Sequence, residues 1–297
     1  MKQPVSFDSF FQGKARHYLV TTIDLALEED GRDLTSEAVF SPTDILDAKI
    51  IVKQNAVVAG LPILPIVIER MGATNDVTLE LHVRDGDTVS DRTLIATMRG
   101  PAAVLLKAER VMLNFIAHLS GIATMTAEYV AAMGKTKTRL LDTRKTIPGL
   151  RYPEKYAVLM GGGSNHRLDL EKMFMLKDNH VDKAGGITPA VEALRQFCAS
   201  AIFDGSSPPI EVECRTLDEV REAVSLRPER IMLDNMEPSV MKEALSLIPE
   251  GIETEISGGV SMDKLSELAA LGADFISIGK ITHSAPSTDF SMLIHTS

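Results

Sequence analysis

The chain has 297 residues, 44% hydrophobic and 24% charged, with a formal net charge of −10 at pH 7. That length allows one large domain or two moderate ones with real cores, and the acidic balance argues against nonspecific binding to nucleic acid or to an anionic membrane surface. Cys198 and Cys214 lack metal-ligand spacing and read as buried, reduced thiols of a cytoplasmic protein. The N-terminus MKQPVSFDSFFQGK has no signal-peptide core, and the longest apolar run, 56–68, is too short and too broken by Gly60, Pro62 and Pro65 to span a bilayer.

In chain order, residues 1–115 read as an N-terminal α/β sandwich domain. Residues 48–58 and 77–83 have strand composition. The stretch 83–100, VRDGDTVSDRTLIATMRG, reads as short strands separated by Asp-Gly turns. It superficially resembles the hairpin of biotinyl and lipoyl carrier domains, but those modify a lysine at the hairpin tip and no lysine lies there. Pro101 then starts a long helix. Val104, Leu105, Ala108, Val111, Met112, Phe115, Ile116 and Leu119 form its buried stripe, and Gly121 interrupts the pattern near its end. Arg110, Asn114 and His118 step by four along another face, which reads most simply as a solvated one.

From residue 139 short apolar strands, each ending in a polar residue or glycine, alternate with amphipathic helices. The strands are 139–141 (then Asp142), 173–176 (then Lys177), 210–212 (then Glu213), 231–233 (then Asp234), 253–256 (then Ser257) and 275–278 (then Gly279). The last four ends are 21, 23 and 22 residues apart, the period of a βα unit in a parallel sheet. The helices between them fall at 217–225, 239–247 and 262–271. Eight such units would be a tight fit in residues 116–285, and the first two are longer, so the expected fold is α/β with an open, six-stranded parallel α/β barrel, favoured over the full eight-stranded one, as the catalytic domain. The C-terminal 286–297 is expected to pack on the N-terminal domain. A parallel barrel carries its active site at the C-terminal ends of its strands, where Lys177, Glu213, Asp234, Ser257 and Gly279 collect.

Between residues 135 and 177 ten basic side chains face four acidic ones. Such a surplus inside an acidic chain points to a pocket for an anion. Glu213 and Asp234, at neighbouring strand ends, can hold a hard divalent cation directly or through its waters; magnesium in such sites is completed by substrate phosphates. Ser257-Gly258-Gly259 precedes a helix, and Gly279 opens a similar turn that continues through Lys280 to His283; two such turns on adjacent strands form a common phosphate site. Arg144, Lys145, His166, Arg167 and Lys177 make an opposite, cationic side. Gly161-Gly162-Gly163 reads as a sharp turn before Asn165-His166-Arg167.

These motifs together resemble the quinolinate phosphoribosyltransferases, also called nicotinate-nucleotide pyrophosphorylases (carboxylating). The resemblance rests on GRDLTS, ERVMLNFIAHLSGIAT, TRKTIPGLR, EKYAV, GGGSNHR, LKDNH, EVEC, LDN, ISGGV and SIGKITHS, and covers nearly the whole chain. It implies transfer of phosphoribosyl from phosphoribosyl pyrophosphate to quinolinate with decarboxylation, giving nicotinate mononucleotide, pyrophosphate and CO2, with Mg2+ as cofactor. It implies quinolinate ligands at Arg144, Lys145, His166, Arg167 and Lys177, with Thr143 beside them. It also implies a homodimer, or a multiple of dimers, in which Arg110 comes from the partner subunit. Glu213 and Asp234 match carboxylates near the ribose and magnesium, with Glu213, Asp234, Lys145 and Lys177 as the catalytic set. Ser257, Gly258, Gly259, Ile278, Gly279 and Lys280 match phosphate turns, and His283 a histidine near the pyrophosphate. Arg32, Ile147, Asp169 and Lys280 depart from the usual pattern; Lys280 replaces a small residue beside the phosphate turn. Other readings are a Schiff-base aldolase using Lys177, a pyrophosphorylase of molybdenum-utilisation operons, and a non-enzymatic phosphosugar-binding protein.

Overall fold

The computed structural model describes residues 5–200 and 207–295; the first four residues of the N-terminal stretch and the last two of the C-terminal segment lie outside them. The chain forms two compact units, one comprising Met1–Glu128, Lys145–Gly163 and Lys280–Ser297, the other Tyr129–Arg144 and Ser164–Gly279.

The first unit is built on an antiparallel sheet. Its strands are β1 (Ile45–Val52), β3 (Thr78–Leu81), β5 (Leu94–Pro101) and β12 (Phe290–His295), in the order β12-β1-β5-β3. Two short strands, β2 (Ala56–Val57) and β4 (Thr88–Val89), pair separately. The 48–58 segment is therefore two strands, broken after Val52. Strand β1 alternates in burial, with Leu46, Ala48, Ile50 and Val52 inward, as period-two geometry requires of a sheet covered on one face. The Asp-Gly turn at Asp85-Gly86 is anchored from beneath. The half-buried Asp85 carboxylate accepts the Leu61 N–H at 2.9 Å and the Tyr156 hydroxyl at 2.9 Å. Burial pushes this carboxyl above its ordinary value.

The long helix runs from Ala102 to Ala132, 31 residues, straight through Gly121. Leu105, Ala108, Val111, Met112, Phe115, Ile116 and Leu119 are buried as the periodicity predicts; Val104 is only half-buried. Gly121 does not interrupt the helix. It is the point of closest approach to the C-terminal segment, where a Cβ would run into the Pro286 carbonyl and crowd Ser287. Helical propensity disfavours glycine there by about 1 kcal/mol, and the close backbone contact overrides it. The glycine triplet behaves similarly. A Cβ at Gly161 would strike the long helix at Ala123 and Thr126, and one at Gly163 would strike Thr126 of that helix and Val158 of the helix Arg151–Met160; only Gly162, at φ +84°, needs glycine for its backbone angle.

The second unit is a single parallel sheet of β6 (Arg139–Leu141), β7 (Phe174–Leu176), β8 (Ile210–Cys214), β9 (Arg230–Asp234), β10 (Glu253–Ser257) and β11 (Phe275–Ser277). The order β6-β11-β10-β9-β8-β7 is cyclic, with β6 and β7 consecutive in the chain but not paired: the expected six-stranded barrel, open at that seam. Strand register divides the side chains into two faces. One carries Val212, Ile231, Leu233, Ile256 and Ile276, all fully buried. The other carries Glu211, Arg230, Glu253, Glu255 and Ser277, so this barrel's interior is polar. Amphipathic helices follow the strands, at Leu217–Leu226 (capped by Thr216, whose side chain accepts the Glu219 N–H), at Pro238–Leu247 with proline at its first turn, and at Leu265–Ala270 after a short 3-10 turn at Met262–Lys264. Cys214 is a buried free thiol, whereas Cys198 is free but only half-buried.

Gly121→Ala should lower unfolding free energy by about 1–3 kcal/mol or more, because the clash is with backbone and no flexible side chain can yield. Urea denaturation monitored by circular dichroism measures it; unchanged stability would mean that the Pro286 contact is not tight.

Candidate active site

The second unit holds Thr143, Arg144, His166, Arg167, Lys177, Glu213, Asp234, Ser257, Gly258, Gly259, Ile278 and Gly279. The strand ends fall within a residue or two of the sequence reading, and the alternation of each strand decides what sits where. Along β8, Glu211 and Glu213 share a face; along β10, Glu253, Glu255 and Ser257 do. One step up each strand from the buried interior layer lies a rim of Lys177, Glu213, Asp234, Ser257 and Gly279.

At this rim Lys177 Nζ lies 3.7 Å from Glu213 Oε2. The Lys177 backbone N–H donates to His180 Nδ1 at 3.1 Å, which starts the helix Asp178–Ala184. Burial raises the Glu213 carboxyl above its ordinary value, Asp234 and Asp178 add to this, and Lys177 opposes it. Glu213 and Asp234 are two neighbouring carboxylates beside Lys177, oxygen donors of the kind a hard cation can take. Lys177 is half-exposed and faces a carboxylate, unlike the desolvated apolar niche that activates a Schiff-base lysine.

The next turn is built on Asn235. Its backbone φ is +53°, its N–H donates to the Ser257 carbonyl at 3.0 Å, and its amide donates to Asp234 Oδ2 at 2.8 Å. A Cβ on Gly258 would collide with the Asn235 amide, and Gly258 and Gly259 have φ of +86° and +58°. Glycine is required here by space and by backbone angle together.

The cationic side is assembled at the barrel seam. Ser164 bridges to Leu141 in parallel, extending the sheet beside β6. Asp142, fully buried, clamps the two residues after Ser164: Oδ1 accepts the His166 N–H at 2.9 Å and Oδ2 accepts the Asn165 amide at 2.6 Å. Arg167 donates from Nη1 to the Met173 carbonyl at 2.8 Å. Burial and the neighbouring positive charge of Arg144 push the Arg167 guanidinium below its ordinary value. Two neighbouring arginines of this kind can bind a carboxylate or phosphate.

His166 is buried, its Nδ1 accepts the Arg167 backbone N–H at 2.6 Å, and its Nε2 faces Glu211 Oε2 at 3.0 Å and Glu255 Oε2 at 3.5 Å. Glu211, Glu255, Arg230 and Ser277 escaped the sequence reading, which attended to strand ends. The alternations in IEVEC and ETEIS, with glutamates at every second position, could have found them. Burial pushes the Glu211 and Glu255 carboxyls up to about 7, with Glu211 itself raising Glu255, and Arg230 opposing both.

Arg110, Lys145, Lys280 and His283 belong to the first unit. Arg110 is exposed, 3.8 Å from Glu109. The Lys145 carbonyl accepts the Thr282 hydroxyl at 2.7 Å, which ties Lys145 to the short helix Lys280–His283. His283 Nδ1 lies 2.7 Å from Ser284 Oγ, and Lys280 is exposed. Ile278 is buried, and its N–H donates to Leu141. His118, read as solvated, instead contacts the buried Glu154 carboxylate at 2.8 Å.

Comparison with known proteins agrees with this architecture. Residues 33–120 match the N-terminal domain and residues 122–293 the C-terminal domain of the quinolinate phosphoribosyl transferase family. A Bacillus subtilis protein named probable nicotinate-nucleotide pyrophosphorylase (carboxylating) is 41% identical over 90% of this chain and 89% of its own. A Nicotiana glauca protein named quinolinate phosphoribosyltransferase (decarboxylating) 2, mitochondrial, is 37% identical over 94% of this chain and 82% of its own. Among solved structures, the nicotinate-nucleotide pyrophosphorylase of Francisella tularensis superposes with a TM-score of 0.88 at 31% identity, covering 96% of this chain and 99% of that one.

A carboxyl held above its ordinary value favours the folded state while it is protonated. That stability is complete below the ordinary carboxylate range and is lost as pH rises through about 7. Glu255→Gln copies the protonated form. Between pH 5 and pH 8 the unaltered protein should therefore lose about 1–3 kcal/mol more stability than Glu255→Gln, read from urea titrations at each pH. Parallel pH profiles would mean that Glu255 is ionised at neutral pH.

Proposed function

The chain belongs to the quinolinate phosphoribosyl transferase family, and from that premise we propose that it transfers phosphoribosyl from phosphoribosyl pyrophosphate to quinolinate, releasing pyrophosphate and CO2 and forming nicotinate mononucleotide. The observation that carries the reading is the pairing of Arg144 and Arg167 on one side of a barrel mouth with Glu213 and Asp234 on the other. The arginines bind and orient the two carboxylates of the acceptor. The acceptor's ring nitrogen attacks C1 of the ribose as the C1–O bond to pyrophosphate breaks. Glu213 and Asp234 face the positive charge that develops at C1. Backbone N–H groups of the Ser257–Gly259 turn meet phosphate. In the adduct the ring nitrogen is cationic, so the adjacent carboxylate departs as CO2, its electron pair stays on the ring carbon, and that carbon takes up a proton. Glu213 and Asp234 would hold Mg2+, which when bound supplies charge neutralisation for the leaving pyrophosphate.

Among the described residues no helix is long and apolar enough to cross a membrane. The free thiols Cys198 and Cys214 fit a reducing, cytoplasmic setting. The active form is a homodimer, in which the exposed Arg110 of one subunit completes the anion pocket of the other.

Pyrophosphate release should occur with phosphoribosyl pyrophosphate, Mg2+ and quinolinate, and not with nicotinate or nicotinamide. An acceptor with one carboxylate leaves half-buried cations unmatched, at a cost of several kcal/mol, roughly a thousandfold in kcat/KM. Equal turnover of quinolinate and nicotinate would overturn the reading. Within that assay, Glu213→Ala and Asp234→Ala should each lower kcat about a hundredfold while changing quinolinate affinity far less.

Mixing inactive Arg110→Ala with inactive Lys177→Ala should restore part of the activity, since a mixed dimer contains one intact site. Subunit exchange is verified first by mass-tagged hybrids. No recovery after verified exchange would place Arg110 outside its neighbour's site.

A further inference from the structure

Beneath the rim, inside the barrel, lies a buried charge cluster that the reaction as described does not use. Glu211, Glu255 and His166 bring an oxygen or nitrogen each to within 4.8 Å of one another, all from buried side chains. This looks at first like a metal donor set. Arg230, however, places Nη1 3.0 Å from Glu255 Oε2, the same oxygen that faces His166. A guanidinium already supplies the cation there. Arg230 is in turn fixed by Glu253 Oε2 at 2.7 Å from Nη2, and by stacking over the Phe275 ring at 4.1 Å from its centroid.

The cluster connects upward through His166. Because Nδ1 accepts the Arg167 backbone N–H, it carries no proton, and the ring's proton lies on Nε2, facing the two carboxylates. Asp142 holds the His166 backbone from the other side at 2.9 Å. In this orientation Nε2 points at the two carboxylates, and the Nε2–H tautomer is what lets Nδ1 receive the Arg167 backbone N–H.

We propose that Glu255, acting with Glu211 and Arg230, is a positioning residue that holds His166 in its Nε2–H tautomer and thereby fixes Arg167 for acceptor binding. The placement of Glu255 against His166 stands on the barrel geometry, while the consequence for the acceptor rests on the function proposed above. A structural ion pair alone could be exchanged for apolar packing with little effect on binding; a link through His166 to an anion-binding arginine could not.

Nitrogen-15 NMR of the full chain labelled at its seven histidines tests this, with the His166 signal assigned by its loss in His166→Asn. The unaltered protein should show an unprotonated Nδ1 and a protonated Nε2 at His166. Glu255→Leu should lose this single tautomer and raise the KM for quinolinate about tenfold or more, with kcat and the KM for phosphoribosyl pyrophosphate changed less than about threefold. Glu255→Gln, whose carbonyl oxygen can face Nε2–H as the carboxylate does, should restore both the tautomer and the quinolinate KM. A proton on Nδ1 in the unaltered protein overturns the proposal. So does a Glu255→Leu protein with both readouts unchanged, or a Glu255→Gln protein as impaired as Glu255→Leu. Should Glu255→Leu fail to fold, the unaltered protein and Glu255→Gln decide. Should quinolinate prove not to be the acceptor, the tautomers still decide the positioning claim separately from the functional one.

Discussion

Two carboxylates inside a parallel sheet, Glu211 and Glu255, are the constraint around which the second unit is organised. An unpaired buried charge costs several kcal/mol, more than a domain's margin of stability can readily absorb. Arg230 meets this constraint from the strand between them. In register with Glu211 on one side and Glu253 on the other, it reaches Glu255 along the same face. Its stacking on Phe275 shields the pairing on the next strand. The carboxyls' preference for keeping a proton near neutrality lowers the net charge enclosed.

The rim of strand ends inherits its geometry from this layer. In a strand, residues two apart share a face, so fixing Glu211 inward fixes Glu213 inward, and fixing Glu255 does the same for Ser257. A one-residue slip would send the glutamates into the helices and bring isoleucine, valine and leucine into the barrel. The rim cannot move independently of the charged layer without breaking that pairing, which is how a site at the ends of short strands becomes preorganised.

The open seam serves the cationic side. A closed barrel would pair β6 with β7; here the stretch from Ser164 runs alongside β6 instead and carries His166 to the interior and Arg167 toward Arg144. The glycines before it are explained mainly by packing. Gly161 and Gly163 themselves approach the long helix closely, just as Gly121 lets the C-terminal segment lie against the same helix. Conserving space, more than supplying flexibility, is the common physical role of glycine in these places.

Local periodicity determined much from the sequence alone. The strand ends at Lys177, Glu213, Asp234 and Ser257 were legible because a parallel βα unit repeats at a near-constant interval and exposes a polar residue where the apolar run stops. The long helix was legible from its stripe, although Gly121 was misread as a break, because the contact that requires glycine comes from Pro286, far along the chain. His118 was misread as solvated for the same reason: its partner, Glu154, lies on another helix. The tertiary structure alone decided that His166 turns inward to Glu211 and Glu255, that Arg230 lies where both can be neutralised, and that Asp142 serves as a clamp for the segment after the glycines. Hydrophobic pattern reports which face of an element is buried. Which buried charge meets which depends on strand order around the barrel, set by pairings between residues distant in the chain.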